Sequence, residues 1–321
     1  MDISIIIINW NSFKYIVKCL QSIYNAKSKV NYEIIVLDNN SSERDIEDLN
    51  KYFKDVRLIL NNMNEGFAKG NNKASKYAKG KVLIFLNPDT LLKDNVLDGI
   101  FGIISDDNRI GIAGPKIINT DGTIQKEAAR YLPTLFSMLC NILLLKRIFN
   151  NVNIFTEYIK NYELPQEVEF ISGACMAIRK SLFHELGGFS EDYFMYSEDD
   201  DICNRVIKAG MKNYYLASSS IIHIGSACSD KTYDAKLFEC WFFKSRRTFF
   251  RKNGYFKYLS INVIYIIGGA FRIIIAYTSV MCELVIKGRK ERVDYYKTII
   301  NKYKRIIMLG FGIDIIGKDC L

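Results

Sequence analysis

The sequence predicts an α/β fold, a mostly parallel sheet flanked by helices, with a helical tail behind it. Three observations carry that expectation. Val82–Leu86 is an unbroken apolar run that stops at Asn87-Pro88-Asp89-Thr90. Similar short runs alternate with helical patterns before residue 120. Charge is uneven: residues 244–321 hold 16 Lys/Arg against 5 Asp/Glu, and residues 1–243 hold 28 against 30. A run apolar on every side is a strand covered on both faces, as in a parallel sheet between helix layers. Pro88 lacks the ladder donor and ends that strand. A basic tail on a near-neutral body calls for an acidic partner surface, anionic lipid or nucleic acid.

Composition narrows the class. The 321 residues suffice for one large or two modest domains, and 49% hydrophobic with 25% charged describes a globular chain rather than a disordered one. The eight cysteines, at 19, 140, 175, 203, 228, 240, 282 and 320, form no CxxC pair. That scatter suits a reducing compartment and core packing, not a disulfide frame or zinc site. The opening MDISIIIINW has no basic segment ahead of its apolar run, so it is not expected to be a signal peptide.

Taken in order, residues 4–8 form the first strand, which ends in Asn9-Trp10-Asn11. Ser12 then stands as N-cap of a helix reaching about Tyr24, with Ile16, Leu20 and Ile23 inward. Residues 33–37 form a second strand ending at Asp38-Asn39-Asn40, and residues 57–60 a third. Strand, helix, strand, helix, strand implies right-handed crossovers and a parallel sheet. Asn64-Glu65-Gly66-Phe67-Ala68-Lys69-Gly70-Asn71-Asn72 leads into a helix stopped by Gly80. Two glycines at a helix entrance let backbone approach a phosphate, although an ordinary loop-to-helix junction fits as well. Residues 94–105 read as helix, residues 111–118 as a strand made irregular by Pro115, and Asn119-Thr120-Asp121-Gly122 as a turn. Residues 131–165 are the least legible. Residues 135–145 fit a core or surface-seeking helix broken at Asn150-Asn151, in a stretch expected to be mobile or family-specific. Residues 170–179 resume the sheet pattern, residues 181–186 form a short helix, and residues 214–217 and 220–224 are strands.

The polar residues fall into a pattern. Asn9, Asp38, Asn87 and Asp89 all follow apolar strands, so parallel pairing brings them to one edge, where open α/β sheets collect ligands. Asp89 could equally be an ordinary turn residue. Glu198-Asp199-Asp200-Asp201 open a helix that ends at Gly210. The helix dipole favours such acids by ~0.3–1 kcal/mol each, which accounts for one or two of the four. Their mutual repulsion raises at least one pKa, the property of a general base. His184, in an amphipathic helix, is expected to be structural. His223 precedes Gly225-Ser226 at a strand end and is open to either a structural or a ligand role.

In the tail, basic and aromatic residues interleave from Trp241 to Lys257, as at a membrane interface. Uncharged stretches on either side of Arg272 are together long enough to span a bilayer, but Arg272 costs roughly 2.5–3.5 kcal/mol there and Gly268-Gly269 weaken a helix. A helix or helical hairpin lying in the interface is therefore expected. Packing on the catalytic domain, or an oligomer through these helices, is the alternative.

The motifs IIIINWN, VLDNNSS, NEGFAKGNN, FLNPDT, SGACMAIR and GGFSEDYFMYSEDDDICNR, followed by His223, occur in that order. Over about residues 1–250 the chain resembles the family 2 inverting glycosyltransferases of the Rossmann-like GT-A fold, especially rhamnosyltransferase-like members. The resemblance implies a catalytic domain over residues 1–240, with a nucleotide half to about 118 and an acceptor half after it; the basic, aromatic remainder, 241–321, is the expected membrane-associating tail. It implies that Asn9, Asn11, Asp38, Asn39, Gly66, Phe67, Gly70, Asn71, Asn87, Pro88 and Asp89 bind a nucleoside diphosphate sugar. Asp89 and His223 would hold Mg²⁺ or Mn²⁺, Asp199 would be the catalytic base, and Gly173, Glu198 and Asp200 would flank the acceptor. Asn87 replaces the first Asp of the family's DxD, which removes one negative charge and reads as a subgroup feature. The expected partners are the donor, a lipid-linked or polysaccharide acceptor and an anionic membrane surface, with no nucleic acid. The expected location is the cytoplasmic face of the cell membrane, peripheral or monotopic. A sugar nucleotidyltransferase would carry a Gly-rich basic loop where this chain has NWNSFK. A non-catalytic membrane scaffold would have no need of Asp89, Asp199 and His223 together.

Overall fold

The computed structural model describes residues 1–42, 44–93, 95–145, 157–225, 235–286 and 292–313. They divide into two compact units, Met1–Leu132 with Tyr158–Tyr233, and Pro133–Glu157 with Asp234–Leu321.

In the first unit the strands are β1 (Ile3–Asn9), β2 (Tyr32–Asp38), β3 (Val56–Leu60), β4 (Val82–Leu86), β5 (Thr90–Leu92), β6 (Ile110–Ile118), β7 (Ala129–Arg130), β8 (Gln166–Val168), β9 (Phe170–Ile171), β10 (Cys175–Arg179) and β11 (Lys212–His223). Its helices are α1 (Phe13–Asn25), α2 (Leu49–Tyr52), α3 (Gly66–Ser75) and α4 (Val96–Asp106), then, beyond α5 of the second unit (Leu135–Ile142), α6 (Lys180–Glu185) and α7 (Glu198–Lys208). The main sheet runs β3-β2-β1-β4-β10-β6-β11-β5, with β8 on β11. The β1–β2, β1–β4, β2–β3 and β6–β11 pairs are parallel, whereas β10 inserts antiparallel between β4 and β6.

The apolar runs are continuous because each strand feeds two cores. Ile5 and Ile7 of β1 and Ile84 of β4 pack with Ile16, Leu20 and Ile23 of α1. The alternate residues Ile6, Leu83 and Phe85 pack with Ala68 and Ala74 of α3 and with Phe183 and Phe189. Complete burial of such a side chain contributes roughly 1.5–3 kcal/mol, so register is fixed on both faces at once.

Two strand expectations are refined. Residues 170–179 are not one strand: β9 pairs with β7 in a separate two-stranded sheet, and β10 begins only at Cys175. The break falls where Ser172 N–H donates to Ala128 O and Asn87 N–H to Ala174 O. The two strands expected at 214–217 and 220–224 are one, β11, which ends at His223 and whose register shifts between Leu216 and Ser220 opposite the Pro115–Lys116 step of β6. Pro115 supplies no ladder donor, and the facing strand bulges there.

The second unit holds α5, α8 (Ala235–Lys252), α9 (Tyr255–Met281) continued by a π turn to Ile286, and α10 (Val293–Gly310). Thr134 and Ser137 form a reciprocal capping box at the start of α5. Part of the 131–165 stretch, including Asn150-Asn151, lies outside the described residues. Pro133–Glu157 belongs to this unit by its packing. Gly268 and Gly269, expected to weaken the tail helix, are instead close-contact points. A Cβ on Gly268 would strike Ile142, and one on Gly269 would lie 2.7 Å from Ile307. Tyr255–Leu284 is long and apolar enough to cross a membrane.

Candidate active site

The strand ends meet as the topology requires. Asn9 pairs with Asp38, and Ile7 with Leu86, so the chain leaves β4 into Asn87-Pro88-Asp89 one strand over from Asn9. β11 ends at His223 opposite Thr90. Because β10 runs the other way, its entry residues Gly173 and Ala174 reach the same edge.

At the β1–β2 end the side chains latch two loops together. Asn9 Nδ2 donates to Asp38 Oδ1 at 2.7 Å and to Ser41 Oγ at 3.1 Å. Ser41 returns its N–H and hydroxyl to Asp38 at 2.9 and 2.5 Å. Asn11, at φ 48, accepts from Ser42 N–H at 2.7 Å. Ser12 holds the N-cap position, but its hydroxyl donates to Asn9 Oδ1 rather than accepting from the helix. The buried Asp38 carboxylate thereby accepts three hydrogen bonds.

Asn39 joins this latch to α3. It donates to Gly66 O at 2.9 Å and accepts from Asn61 Nδ2 at 2.9 Å. Residues 66–71 are the first turns of α3, not a loop. Gly66 N–H donates to Asn64 Oδ1 and Phe67 N–H to Phe194 O, so those two donors are already bonded within the protein. The glycines provide close approach instead. Gly66 lies at φ +80, where a Cβ would run into Phe194 O, and Gly70 lies against Ile8 and Asn39. Asn71 Nδ2 donates to Phe67 O at 2.9 Å, while its buried Oδ1 has no partner.

Asp89 Oδ1 and His223 Nε2 are 3.4 Å apart. His223 Nδ1 is 2.9 Å from Gln125 Oε1, and Gln125 Nε2 donates to Asn119 Oδ1 at 2.6 Å and to His223 O at 2.8 Å. With its NH₂ so engaged, the amide presents oxygen to Nδ1, fixes the proton there and leaves the Nε2 lone pair beside Asp89. Asn87 Nδ2 also lies 3.4 Å from Nε2. Two ligand atoms at this separation fit one divalent cation with bonds of about 2.0–2.6 Å. Among the described residues no group of three or more His, Cys, Asp or Glu is placed to hold a metal ion. The remaining positions would fall to water and phosphate oxygens, the usual mode for Mg²⁺. Gln125 and Asn119 were not anticipated, since their stretch shows in sequence only as a turn.

The acid run resolves into four different environments. Asp200 Oδ1 pairs with Arg130 Nη2 at 2.8 Å, both buried, and the guanidinium stacks 3.7 Å from the Phe170 ring. Asp201 pairs with Arg205 at 2.8 Å. Glu198 Oε2 is buried without a partner, and burial, reinforced by Asp199, holds its carboxyl well above the usual range. Asp199 accepts from Gly173 N–H at 3.2 Å and from Asp200 N–H at 2.9 Å. Burial first, then the Asp200 charge, raise the Asp199 pKa to about 6 against the pull of Arg130 and the two N–H groups. It is the half-buried carboxylate of the run with no ion pair, poised to exchange a proton near neutrality. Tyr196 and Ser197, both left-handed at φ 69 and 63, aim the helix start. Nothing in the sequence around Arg130 marks it as a partner of Asp200.

Comparison with known proteins follows the same residues. The model of the family described as Glycosyl transferase family 2 matches residues 4–187, and that for the N-terminal domain of galactosyltransferase matches residues 153–226. The N-acetylglucosaminyl-diphospho-decaprenol L-rhamnosyltransferase of Mycobacterium tuberculosis is 29% identical over 204 residues, 59% of this chain and 66% of that one, just under two thirds of its length. Rhamnosyltransferase WbbL of Escherichia coli is 28% identical over 250 residues, 75% of this chain and 89% of that one. A mannosyltransferase of Pyrobaculum calidifontis, solved with GDP-Man and Mn²⁺, matches with a TM-score of 0.56 at 15% identity over 95% of this chain and 84% of that one. At that identity the likeness is one of fold.

Proposed function

The chain belongs to glycosyl transferase family 2, with rhamnosyltransferase relatives and a GT-A-like fold, and on that premise we propose the reaction it performs. It transfers a rhamnose-like sugar from a nucleoside diphosphate to a hydroxyl of a lipid-linked or cell-surface glycan, with inversion. The observation that carries this reading is the hydrogen-bonded line from Asp199 to Gly173 N–H and, through the next residue, from Ala174 O to Asn87 N–H. That line joins a carboxylate of raised pKa to the edge holding Asp89 and His223.

In this mechanism Asp199 takes the proton of the acceptor hydroxyl. The oxygen attacks the anomeric carbon, and the bond to the diphosphate oxygen breaks with its electron pair leaving on the nucleotide. Mg²⁺ or Mn²⁺, held by Asp89 and His223, would neutralise charge on the departing diphosphate. Gln125 keeps the His223 tautomer that allows this. The Asn9–Asp38–Ser41 latch, Asn11 and the Asn39–Gly66 contact shape the nucleotide recess, with Phe67, Gly70, Asn71, Asn87 and Pro88 around it. Arg130 neutralises Asp200, so Asp199 is left to titrate as the base, with Gly173 and Glu198 beside the acceptor.

The tail is read as a peripheral or monotopic anchor on the cytoplasmic face of the membrane. Phe256, Val263, Ile267, Phe271, Ile274 and Met281 stand exposed along α9 at helical spacing, while Ile261, Tyr265, Gly268 and Gly269 are buried. The buried face meets α10, which carries Asp294, Lys297, Lys302, Lys304 and Arg305. A bilayer-spanning pair would bring these charges into hydrocarbon at a cost of several kcal/mol. An apolar stripe over a charged helix suits the interface plane.

Purified protein given Mn²⁺, a panel of donors and membrane extract should release nucleoside diphosphate. Release should rise with pH through about 6, because the base works as the carboxylate and burial delays its ionisation to that pH. Inorganic pyrophosphate as the product would point to a nucleotidyltransferase. No release with any donor would point to a scaffold, and a profile flat across pH 6 would remove Asp199 as the base.

A further inference from the structure

We infer that the groove between α9 and α10 binds the phosphate group of an anionic lipid, and the inference rests on the interfacial reading of the tail. A cavity of about 430 Å³ opens there. Arg272 reaches it from the middle of a helix whose other charged residue, Lys257, lies in the first turn. Its guanidinium lies over the Tyr303 ring, 4.8 Å from the centroid, and among the described residues its buried Nη1 has no hydrogen-bond partner. A buried cationic N–H without an acceptor is costly unless a ligand supplies one.

The charges around the groove favour an anion. Glu239 is the carboxylate among the lining residues, and it is taken by Lys302 at 2.6 Å and Arg305 at 3.8 Å. Among the described residues no carboxylate pairs with Arg272. One acid against two bases, Lys302 and Arg272, leaves the lining positive, and a planar guanidinium is the side chain best matched to phosphate oxygens.

The remaining walls point to a lipid rather than to free phosphate. Ile275, Ala276, Ile299 and Leu144 line the same cavity, which is larger than a phosphate group alone requires. The exposed Ile274, Tyr277 and Met281 turn away from it on the other face of α9, so the apolar lining of the cavity itself has to be met by the ligand. A ligand with an anionic head and an apolar chain fits that lining.

The test uses the full-length protein and sedimentation with vesicles of neutral phosphatidylcholine, with and without phosphatidylglycerol, at fixed salt. Arg272→Gln should lose at least tenfold in affinity for the anionic vesicles. Arg251→Gln, an equal loss of charge on an exposed residue of the basic stretch, should lose no more than about fivefold, the share of one interfacial charge. Ser279→Leu narrows the cavity without altering charge and should reproduce the Arg272→Gln loss, with circular dichroism and melting confirming that all three variants fold. Equal losses for Arg272→Gln and Arg251→Gln would overturn the site while leaving membrane attachment standing. Wild-type protein that ignores anionic vesicles would overturn both, and would make the tail a packing or oligomerisation element. Inorganic pyrophosphate bound through Arg272 in the absence of vesicle binding would overturn the lipid as ligand in favour of a soluble diphosphate.

Discussion

Asp199→Asn is expected to reduce turnover by at least ~10²-fold while donor affinity is retained, the low end of what a general base contributes. The substitution keeps the shape of the side chain and one acceptor oxygen for the Gly173 and Asp200 N–H groups, but it cannot take a proton. Its neighbour supplies the control. Asp200 is committed to Arg130 in a buried pair, so Asp200→Asn leaves the guanidinium uncompensated, a change that costs about 3–5 kcal/mol in comparable pairs. That variant should lose stability in denaturant, with the turnover of its folded fraction preserved. An inactive Asp200→Asn beside an active Asp199→Asn would move the base by one residue and undo the assignment made from the hydrogen bonds.

Asp89→Ala should cost on the order of 10²–10³-fold in turnover, the range seen when one stabiliser of a developing anion is removed. His223→Ala should fall in the same range, since two side chains are asked to hold the cation. Gln125→Leu tests the arrangement from further out. It leaves both ligands in place and releases the imidazole tautomer, and loss of such a partner typically weakens metal affinity ~10–100-fold. Excess Mn²⁺ should therefore restore Gln125→Leu more fully than Asp89→Ala. Full wild-type activity in excess chelator would contradict the cation site.

Much of this was legible in the chain because the relevant signals are local. The runs at β1, β2 and β4 end in Asn or Asp, and parallel pairing with right-handed crossovers leaves one edge on which those ends can gather. The four acids at the start of α7 mark a candidate site, since the helix dipole accounts for only part of such a concentration. What the sequence withheld depends on long-range partners. Arg130, 70 residues from Asp200, decides which acid stays available, and no local pattern around it reveals that. Gln125 sets the His223 tautomer across 98 residues from what reads as an ordinary turn. Gly66 and Gly70 suggested a phosphate-binding loop because glycine at a helix entrance has two uses, anion approach and tight packing. Phe194 O above Gly66 is evident only once the chain is folded. Gly268-Gly269 misled in the same way: glycine weakens an isolated helix, yet in α9 it lets Ile142 and Ile307 approach.

The central claim is a single displacement, with Asp199 as base and the acceptor oxygen as nucleophile. It is tested most directly by the anomeric configuration of the transferred sugar, read by NMR from the product and compared with that of the donor consumed. The account predicts inversion. Retention would require a second displacement through an enzyme-bound intermediate, and would contradict the role assigned to Asp199.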